Sequence, residues 1–211
     1  MLIRDDLKEF IKTIPSDITL VAATKYIDEK ELEKLYLSGV KNFGENRVDS
    51  FLTKYHYLEK YDDIIWHFIG HLQRNKAKEV INKIDFLHSL DSLELARLIS
   101  KYRTTPLKVF VEVSINLEES KNGVPYYQAE DFIKELITIP NIEVVGLMMM
   151  TIKASNDKEN QFKKLKDLRD DLERKLNIKL PYLSMGMSED YLEAIKEDAT
   201  HIRLGRILFK E

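Results

Sequence analysis

Two patterns of apolar and polar positions alternate along the chain. Short apolar runs rich in β-branched residues, such as ITLVAATK at 18–25 and LKVFVEVS at 107–114, predict buried strands. Longer segments with apolar residues three or four apart predict helices, as in 28–40, where Leu32, Leu35 and Leu37 are expected to share one face. The predicted strands are 18–25, 42–46, 64–70, 85–90, 107–114, 142–150, 181–186 and 200–209.

Helical segments separate nearly all of these strands. Such alternation is typical of right-handed βαβ units around a parallel sheet. Eight repeats predict an α/β protein with a single (β/α)8 TIM barrel, and a doubly wound sheet is the alternative. No linker or low-complexity segment interrupts the pattern, so residues 1–211 are expected to form one domain. The amphipathic helix predicted before the first strand is expected to cover the place of a final helix.

Composition narrows the class of protein. A content of 44% hydrophobic and 33% charged residues fits a soluble globular chain, and the net charge of -3 argues against nucleic-acid binding. The absence of cysteine excludes disulfides, thiolate zinc sites and cysteine nucleophiles. No segment resembles a signal peptide or approaches the length of a membrane span. We therefore expect a cytoplasmic protein without a membrane partner.

The barrel prediction also locates the site. Active sites of this fold lie at the C-terminal ends of the strands. A lysine, small polar groups, glycines and an arginine occupy those positions, as a phosphate-bearing carbonyl cofactor would require. The residues at the predicted strand ends are Lys25, Glu45, Asn46, Gly70, His71, Ser89, Ser114, Asn116, Met148 to Met150, Ser184 to Gly186, and Arg203 to Gly205.

Lys25 and Asn46 each have an ordinary and a functional interpretation. A lysine at a strand end usually extends its ammonium into water. A partly desolvated lysine is instead a nucleophile that forms Schiff bases. Asn46 could cap the following helix or contact a ligand. The sequence leaves these alternatives open.

The last two strands contain candidate phosphate ligands. Ser184 could donate to a phosphate near Gly186, and the backbone amides of Gly205 and Arg206 could hold it just past the final strand. Ser188 is expected to cap the following helix. Arg203 could belong to this site or to a surface ion pair.

Other motifs add little chemistry. Met148 is expected to line the barrel, where methionine can also pack against a flat ring. His67 and His71 are four residues apart, but a strand running into a turn would not place them on one face, so no metal site is predicted. The chain has no G-x-G-x-x-G, Walker A or G-x-S-x-G motif.

Several motifs together resemble a known family. VAATK, NFGENRV, WHFIGHLQRNKAK, HSLDSLELA, NGV, GLMMM, LSMGMSEDYLEAI and ATHIRLGRILF are similar, in this order, to the pyridoxal phosphate homeostasis proteins. The resemblance extends from about residue 20 to residue 209, and WHFIGHLQ.NK and LSMGMS.D...AI are its most specific motifs.

The resemblance implies a fold and a cofactor. The fold would be a barrel similar to the N-terminal domain of alanine racemase. Lys25 would carry pyridoxal 5'-phosphate as an aldimine with Asn46 beside it, and Arg203 would face the pyridine nitrogen. The phosphate would lie against Ser184 and the backbone of Gly205 and Arg206. With Met148 and Gly186 added from the strand-end pattern, the predicted cofactor-binding residues are Lys25, Asn46, Met148, Ser184, Gly186, Arg203, Gly205 and Arg206.

Two arguments disfavour catalysis. A ring nitrogen that faces an arginine must accept a hydrogen bond, so it stays unprotonated and the ring is a weaker electron sink. The related racemase obtains a second catalytic base, a tyrosine, through a β-rich domain, and no motif places any of the ten tyrosines here in that role.

We therefore expect a monomeric, non-enzymatic carrier or regulator in vitamin B6 homeostasis, with no catalytic residue and with PLP-dependent apoenzymes as candidate recipients of pyridoxal phosphate. The alternatives are a low-activity amino-acid racemase and a barrel that uses the lysine for aldolase-type chemistry.

Overall fold

Eight parallel strands close into a barrel in the computed structural model, which describes residues 2–115, 122–151 and 158–210. Each barrel strand pairs with two neighbours, and the pairings of β1 with β9 and of β4 with β5 complete the ring. A two-residue strand, β6, pairs with β5 outside the ring. The predicted (β/α)8 barrel is thus confirmed. The strands are β1 Thr19–Ala23, β2 Asn42–Glu45, β3 Ile65–Phe68, β4 Phe86–Leu90, β5 Leu107–Ser114, β6 Val124–Pro125, β7 Ile142–Met148, β8 Tyr182–Met187 and β9 His201–Leu204.

Helices connect most of the strands and cover the outside of the barrel. The predicted strand-end residue Asn116 lies outside the described residues. The α-helices of the described ranges are α1 Leu7–Lys12, α2 Glu29–Leu37, α3 Val48–Leu58, α4 Arg74–Val80, α5 Leu93–Tyr102, α6 Ala129–Leu136, α7 Lys158–Leu176 and α8 Tyr191–Lys196, with 3-10 helices at Tyr126–Gln128 and Arg206–Leu208.

The apolar core lies mainly between the sheet and the helices. Leu32 and Leu35 of α2 are fully buried in it, because they lie one turn apart on the face that meets the barrel. Leu37 is 67% exposed, so the prediction that it shares this face is wrong. At 100° per residue, Leu37 lies well away from Leu32 around the helix axis.

The two ends of the chain lie together. Ile3 forms an antiparallel bridge with Phe209, and the amide of Arg4 donates to the carbonyl of Leu208 at 3.2 Å. Phe10 of α1 contacts the ring of Tyr191 edge-on at 6.2 Å between centroids. The last strand ends at Leu204, earlier than predicted, because residues 206–208 form a 3-10 helix. Within the described ranges, we find no helix with the length and apolar character needed to cross a membrane.

Candidate functional site

All the predicted cofactor-binding residues lie on five adjacent strands or just beyond them. The sheet order places β2, β1, β9, β8 and β7 side by side. Val21 pairs with Arg203, and Ala23 pairs with Gly44, so the ends of these strands lie at one mouth of the barrel. Residues up to 181 positions apart in the sequence thus come from neighbouring strands.

Lys25 lies two residues beyond β1, in a turn. Its side chain is exposed, and the ammonium lies 4.7 Å from the ring centroid of Tyr26. The backbone just before it is fixed, because the amide of Thr24 donates to the carbonyl of Gly44 at 3.1 Å. The described residues therefore place this amine within reach of a ligand in solution, but they do not supply the desolvation that the nucleophile interpretation required.

Asn46 follows β2 and does not cap the next helix. The N-cap of α3 is Arg47, so the capping alternative for Asn46 is wrong. The Oδ1 atom of Asn46 is buried and has no hydrogen-bond partner among the described residues. A Cβ at Gly70 would overlap the backbone of Asn46, which shows how closely the β3 exit packs against this residue. A buried amide oxygen without a partner suits a contact with a ligand donor.

Arg203 lies inside the barrel and not on the surface. Its guanidinium donates to Ser184 Oγ from Nη1 at 2.5 Å and to the carbonyl of Met149 from Nη2 at 2.9 Å. Arg203 is only 5% exposed, so the surface ion-pair alternative is wrong. No carboxylate lies within 4 Å of its nitrogens in the described part of the chain. The guanidinium is therefore a buried cation whose partners are neutral.

Two carboxylates affect this cation from a distance. Burial lowers the pKa of Arg203 to about 10, while the charges of Glu112 and Asp190 oppose that shift. Burial raises the pKa of Glu112 to about 7, with Asp91 adding to the increase and Arg203 reducing it. Near neutral pH the barrel thus holds a buried cation and, more than 4 Å from it, a carboxyl group that is partly protonated.

Ser184 and Met148 lie deeper in the barrel than predicted for direct ligands. Ser184 is fully buried, and its hydroxyl contacts Arg203 and His88. Met148 is 1% exposed and packs on Phe110 and Val145 in the barrel interior. The expected role of Met148 as barrel lining fits this position.

Ser188 occupies the position at the mouth that the sequence interpretation gave to Ser184. Its Oγ accepts a hydrogen bond from the amide of Gly205 at 3.2 Å. The predicted N-cap role of Ser188 is wrong, because α8 begins at Tyr191 and its N-cap is Asp190. Ser188 comes directly after β8, so its hydroxyl lies beside the segment that follows β9.

Gly186 and Arg206 complete this side of the mouth. Gly186 has a φ of 87°, and a Cβ there would lie 2.7 Å from the Cβ of Ala194, so only glycine fits this irregular point near the end of β8. Arg206 begins a 3-10 helix, and amides in the first turn of a helix lack partners within it. The exposed side chain of Arg206 forms an ion pair with Glu189.

The histidines of the WHFIGH segment are separated, as predicted. His67 is buried inside the barrel, whereas Nδ1 of His71 lies 3.6 Å from Asp91 at the surface. In residues 2–115, 122–151 and 158–210, no group of three or more metal-ligating side chains is arranged around an ion. A cleft of about 640 Å³ opens at the ends of β3 and β4, lined by His71, Leu72, Gln73, Arg74, Asn75, Asp91, Ser92 and Glu94.

The fold and the site define a class of protein: a (β/α)8 barrel with an accessible lysine at its mouth, an amide oxygen that has no partner among the described residues, and an arginine buried in its interior. Residues 28–211 match the family model for the alanine racemase N-terminal domain, a match that begins just after Lys25. The chain belongs to this family, and within it to the pyridoxal phosphate homeostasis proteins.

Relatives of this chain cover most of its length. It is 41% identical to the pyridoxal phosphate homeostasis protein of Aquifex aeolicus, over 91% of this chain and 86% of that protein. It is 36% identical to the protein of the same name from Synechocystis sp., over 95% of this chain and 94% of that protein.

Solved structures of one relative are similar throughout. PipY of Synechococcus elongatus without PLP superposes with a TM-score of 0.92 at 27% identity, covering 98% of this chain and 99% of that chain. PipY with PLP bound superposes with a TM-score of 0.89 at 27% identity, and the match covers 97% of this chain and 100% of that chain.

Proposed function

We propose that this protein binds pyridoxal 5'-phosphate at the mouth of the barrel and acts, without catalytic turnover, as a carrier or regulator in vitamin B6 homeostasis. The observation that carries the proposal is the buried guanidinium of Arg203, whose partners among the described residues are neutral. Such a cation favours a ligand that brings a hydrogen-bond acceptor, and the pyridine nitrogen is one. The PLP-bound structure of PipY supports the choice of ligand.

Lys25 is proposed as the attachment point. Pyridoxal phosphate supplies an aldehyde that condenses with a primary amine with loss of water. The exposed side chain of Lys25 allows such a bond to form and to be reversed by water or by another amine. This exchange suits a protein that delivers its cargo, and PLP-dependent apoenzymes are the proposed recipients. Asn46 would use its unpaired Oδ1 beside the ligand.

We place the phosphate against Gly205, Arg206 and Ser188. Arg206 begins the last 3-10 helix, and an amide in the first turn of a helix favours an anion. The hydroxyl oxygen of Ser188 already accepts a hydrogen bond from the amide of Gly205. Ser184 was predicted for this role, but the burial of its hydroxyl between Arg203 and His88 favours an indirect one. Gly186 would shape the adjoining turn, and Met148 would lie below the ring.

The absence of turnover is part of the proposal. A pyridine nitrogen that accepts from Arg203 stays unprotonated, which weakens carbanion stabilisation. We also propose that residues 1–211 form one domain and that the protein is a monomer in the cytoplasm, where a chain without cysteine loses nothing to a reducing environment.

Borohydride reduction tests the attachment point. The protein is incubated with pyridoxal phosphate, reduced and mapped by peptide mass spectrometry. We expect one phosphopyridoxyl group, on Lys25, and none in Lys25→Ala. Lys30→Ala is the matched control, because Lys30 is a nearby exposed lysine on α2. Modification of a different lysine in the wild-type protein would contradict the assignment.

Circular dichroism of D- and L-alanine with the loaded protein tests turnover. We expect no sustained change in optical signal. Racemisation that continues over many turnovers and disappears in Lys25→Ala would instead establish the racemase alternative.

A further inference from the structure

A continuous chain of hydrogen bonds crosses the barrel interior beneath the mouth. Oδ1 of Asn42 lies 3.0 Å from Nε2 of His67, and Nδ1 of His67 lies 2.9 Å from Nε2 of His88. Nδ1 of His88 lies 2.8 Å from Oγ of Ser184, which accepts from Arg203. We call these five residues the interior chain. Its members come from β2, β3, β4, β8 and β9, so it ties together more than half of the barrel strands.

The partners assign the direction of every hydrogen bond in the interior chain. The amide oxygen of Asn42 only accepts, so His67 carries its proton on Nε2 and accepts at Nδ1. His88 must then donate from Nε2, which leaves its Nδ1 as an acceptor for the hydroxyl of Ser184. Ser184 donates to His88 and uses an oxygen lone pair for Arg203.

Both imidazoles are neutral in this arrangement. Burial lowers the pKa of His67 well below its ordinary value, and the nearby His201 lowers it further. Burial does the same for the pKa of His88, with smaller contributions from His67, His201 and Arg203. Neutral rings with one donor and one acceptor each are what a directed chain requires. Because His67 and His88 are neutral, they place no second positive charge next to the buried guanidinium of Arg203.

We propose that His88, held by His67 and Asn42, is a positioning residue that acts through Ser184 to orient the guanidinium of Arg203 toward the barrel mouth. The hydroxyl proton of Ser184 is committed to His88, so its oxygen always presents a lone pair to Arg203. The carbonyl of Met149 fixes the second guanidinium nitrogen. The remaining N–H groups of the guanidinium have no partner among the described residues and are left for a ligand. The consequence for the cofactor rests on the proposed function, whereas the direction of the chain does not.

Imidazole nitrogen NMR of the ligand-free wild-type protein tests the direction. We expect His67 and His88 each to show a protonated Nε2 and a bare Nδ1 at neutral pH. A proton on Nδ1 of His88 would overturn the inference, because Ser184 would then be an acceptor for both neighbours and its hydroxyl would be free. A doubly protonated ring would overturn it as well.

Variants of His88 test the positioning role. Phenylalanine fits the aromatic surroundings, where Phe110 lies 4.3 Å away between ring centroids, but it offers no acceptor. Asparagine places a polar atom near the position of Nδ1. We expect His88→Phe to weaken pyridoxal phosphate binding about tenfold, the value of one lost hydrogen bond, and His88→Asn to change it less than about threefold.

His201→Phe is the matched control. His201 lies in the same interior and is 4% exposed, but its hydrogen bond is to Thr200 and not to the interior chain. We expect the control to lower the melting temperature as His88→Phe does, with less than about a threefold change in binding. Equal weakening by both phenylalanine variants would contradict positioning. If wild-type protein does not bind pyridoxal phosphate, the proposed function fails, while the tautomers still decide the direction of the chain.

Discussion

Two buried polar clusters lie on opposite faces of the same sheet, and they offset the cost of burying a charged side chain in different ways. Inside the barrel, the interior chain places one cation among neutral groups. Outside it, Lys54 of α3 forms a buried ion pair with Glu45 of β2, and Thr24 donates to the same carboxylate oxygen. Nζ of Lys54 also donates to the carbonyl of Thr24 at 2.6 Å. We call Lys54, Glu45 and Thr24 the outer cluster.

This difference in charge balance distinguishes a cluster that supports the fold from one that can bind a ligand. The outer cluster balances its charges internally and fixes the backbone directly before Lys25 and Asn46. The interior chain leaves the guanidinium of Arg203 without a carboxylate within 4 Å among the described residues, so the charge is available to a ligand. A balanced pair therefore acts as a structural element, whereas an unbalanced buried cation indicates a binding site.

Removal of Lys54 should give the largest effect. Lys54→Met leaves Glu45 as a buried carboxylate without its cation, and we expect a loss of about 3–5 kcal/mol in the free energy of unfolding. The double variant Lys54→Met, Glu45→Leu removes both charges and should recover most of that loss. Urea unfolding measures both. A double variant as unstable as the single one would show that the outer cluster is more than a balanced pair.

Substitution of Glu112 should change how stability depends on pH. The folded protein holds the Glu112 proton up to a pH of about 7, and the unfolded chain only up to a pKa of 4.5. Between these values the folded state binds more protons, so this group makes stability fall as pH rises. Glu112→Gln should remove a loss on the order of 3 kcal/mol between pH 4.5 and 8.

The buried histidines titrate in both proteins, so their contributions cancel when the two pH profiles from urea unfolding are subtracted. Parallel profiles for wild type and Glu112→Gln would refute the raised pKa of Glu112.

A break in the middle of the interior chain should have a smaller effect. His67→Phe keeps the ring stacked on Phe86, which lies 4.8 Å away between centroids, but it removes the partner of Oδ1 of Asn42 and of Nε2 of His88. We expect a loss of about 1–3 kcal/mol, the cost of unsatisfied buried polar groups. Asn42→Leu in the same background should add little, because its partner is already gone. Full additivity of the two losses would argue against a connected chain.

Lys25→Ala should have the smallest effect on stability. The side chain is exposed, so we expect a change of less than about 0.5 kcal/mol in the free energy of unfolding. Modification by pyridoxal phosphate and borohydride should nevertheless disappear. A large destabilisation would mean that Lys25 belongs with the outer cluster as a structural residue.

The sequence by itself determined the barrel and the approximate positions of its strands, although β9 ends at Leu204 and not at the predicted residue 209. Apolar runs and helical spacing are local patterns, and parallel strands bring their C-terminal ends to one mouth, so the order of residues was enough to place Lys25, Asn46 and Gly205 just past the ends of neighbouring strands. Local patterns were less reliable for Leu37 and for the caps at Asn46 and Ser188. Each of these positions depends on where a helix begins or which way it faces the barrel.

Only the tertiary structure decided the partners of the buried polar groups. Ser184 and Ser188 stand four residues apart on the same segment, yet one contacts His88 inside the barrel and the other contacts Gly205 at the mouth. Asn42 and Arg203 belong to one hydrogen-bond chain although 161 positions separate them. Hydrogen-bond partners depend on which strands are neighbours and which residues share a layer, and barrel closure sets both.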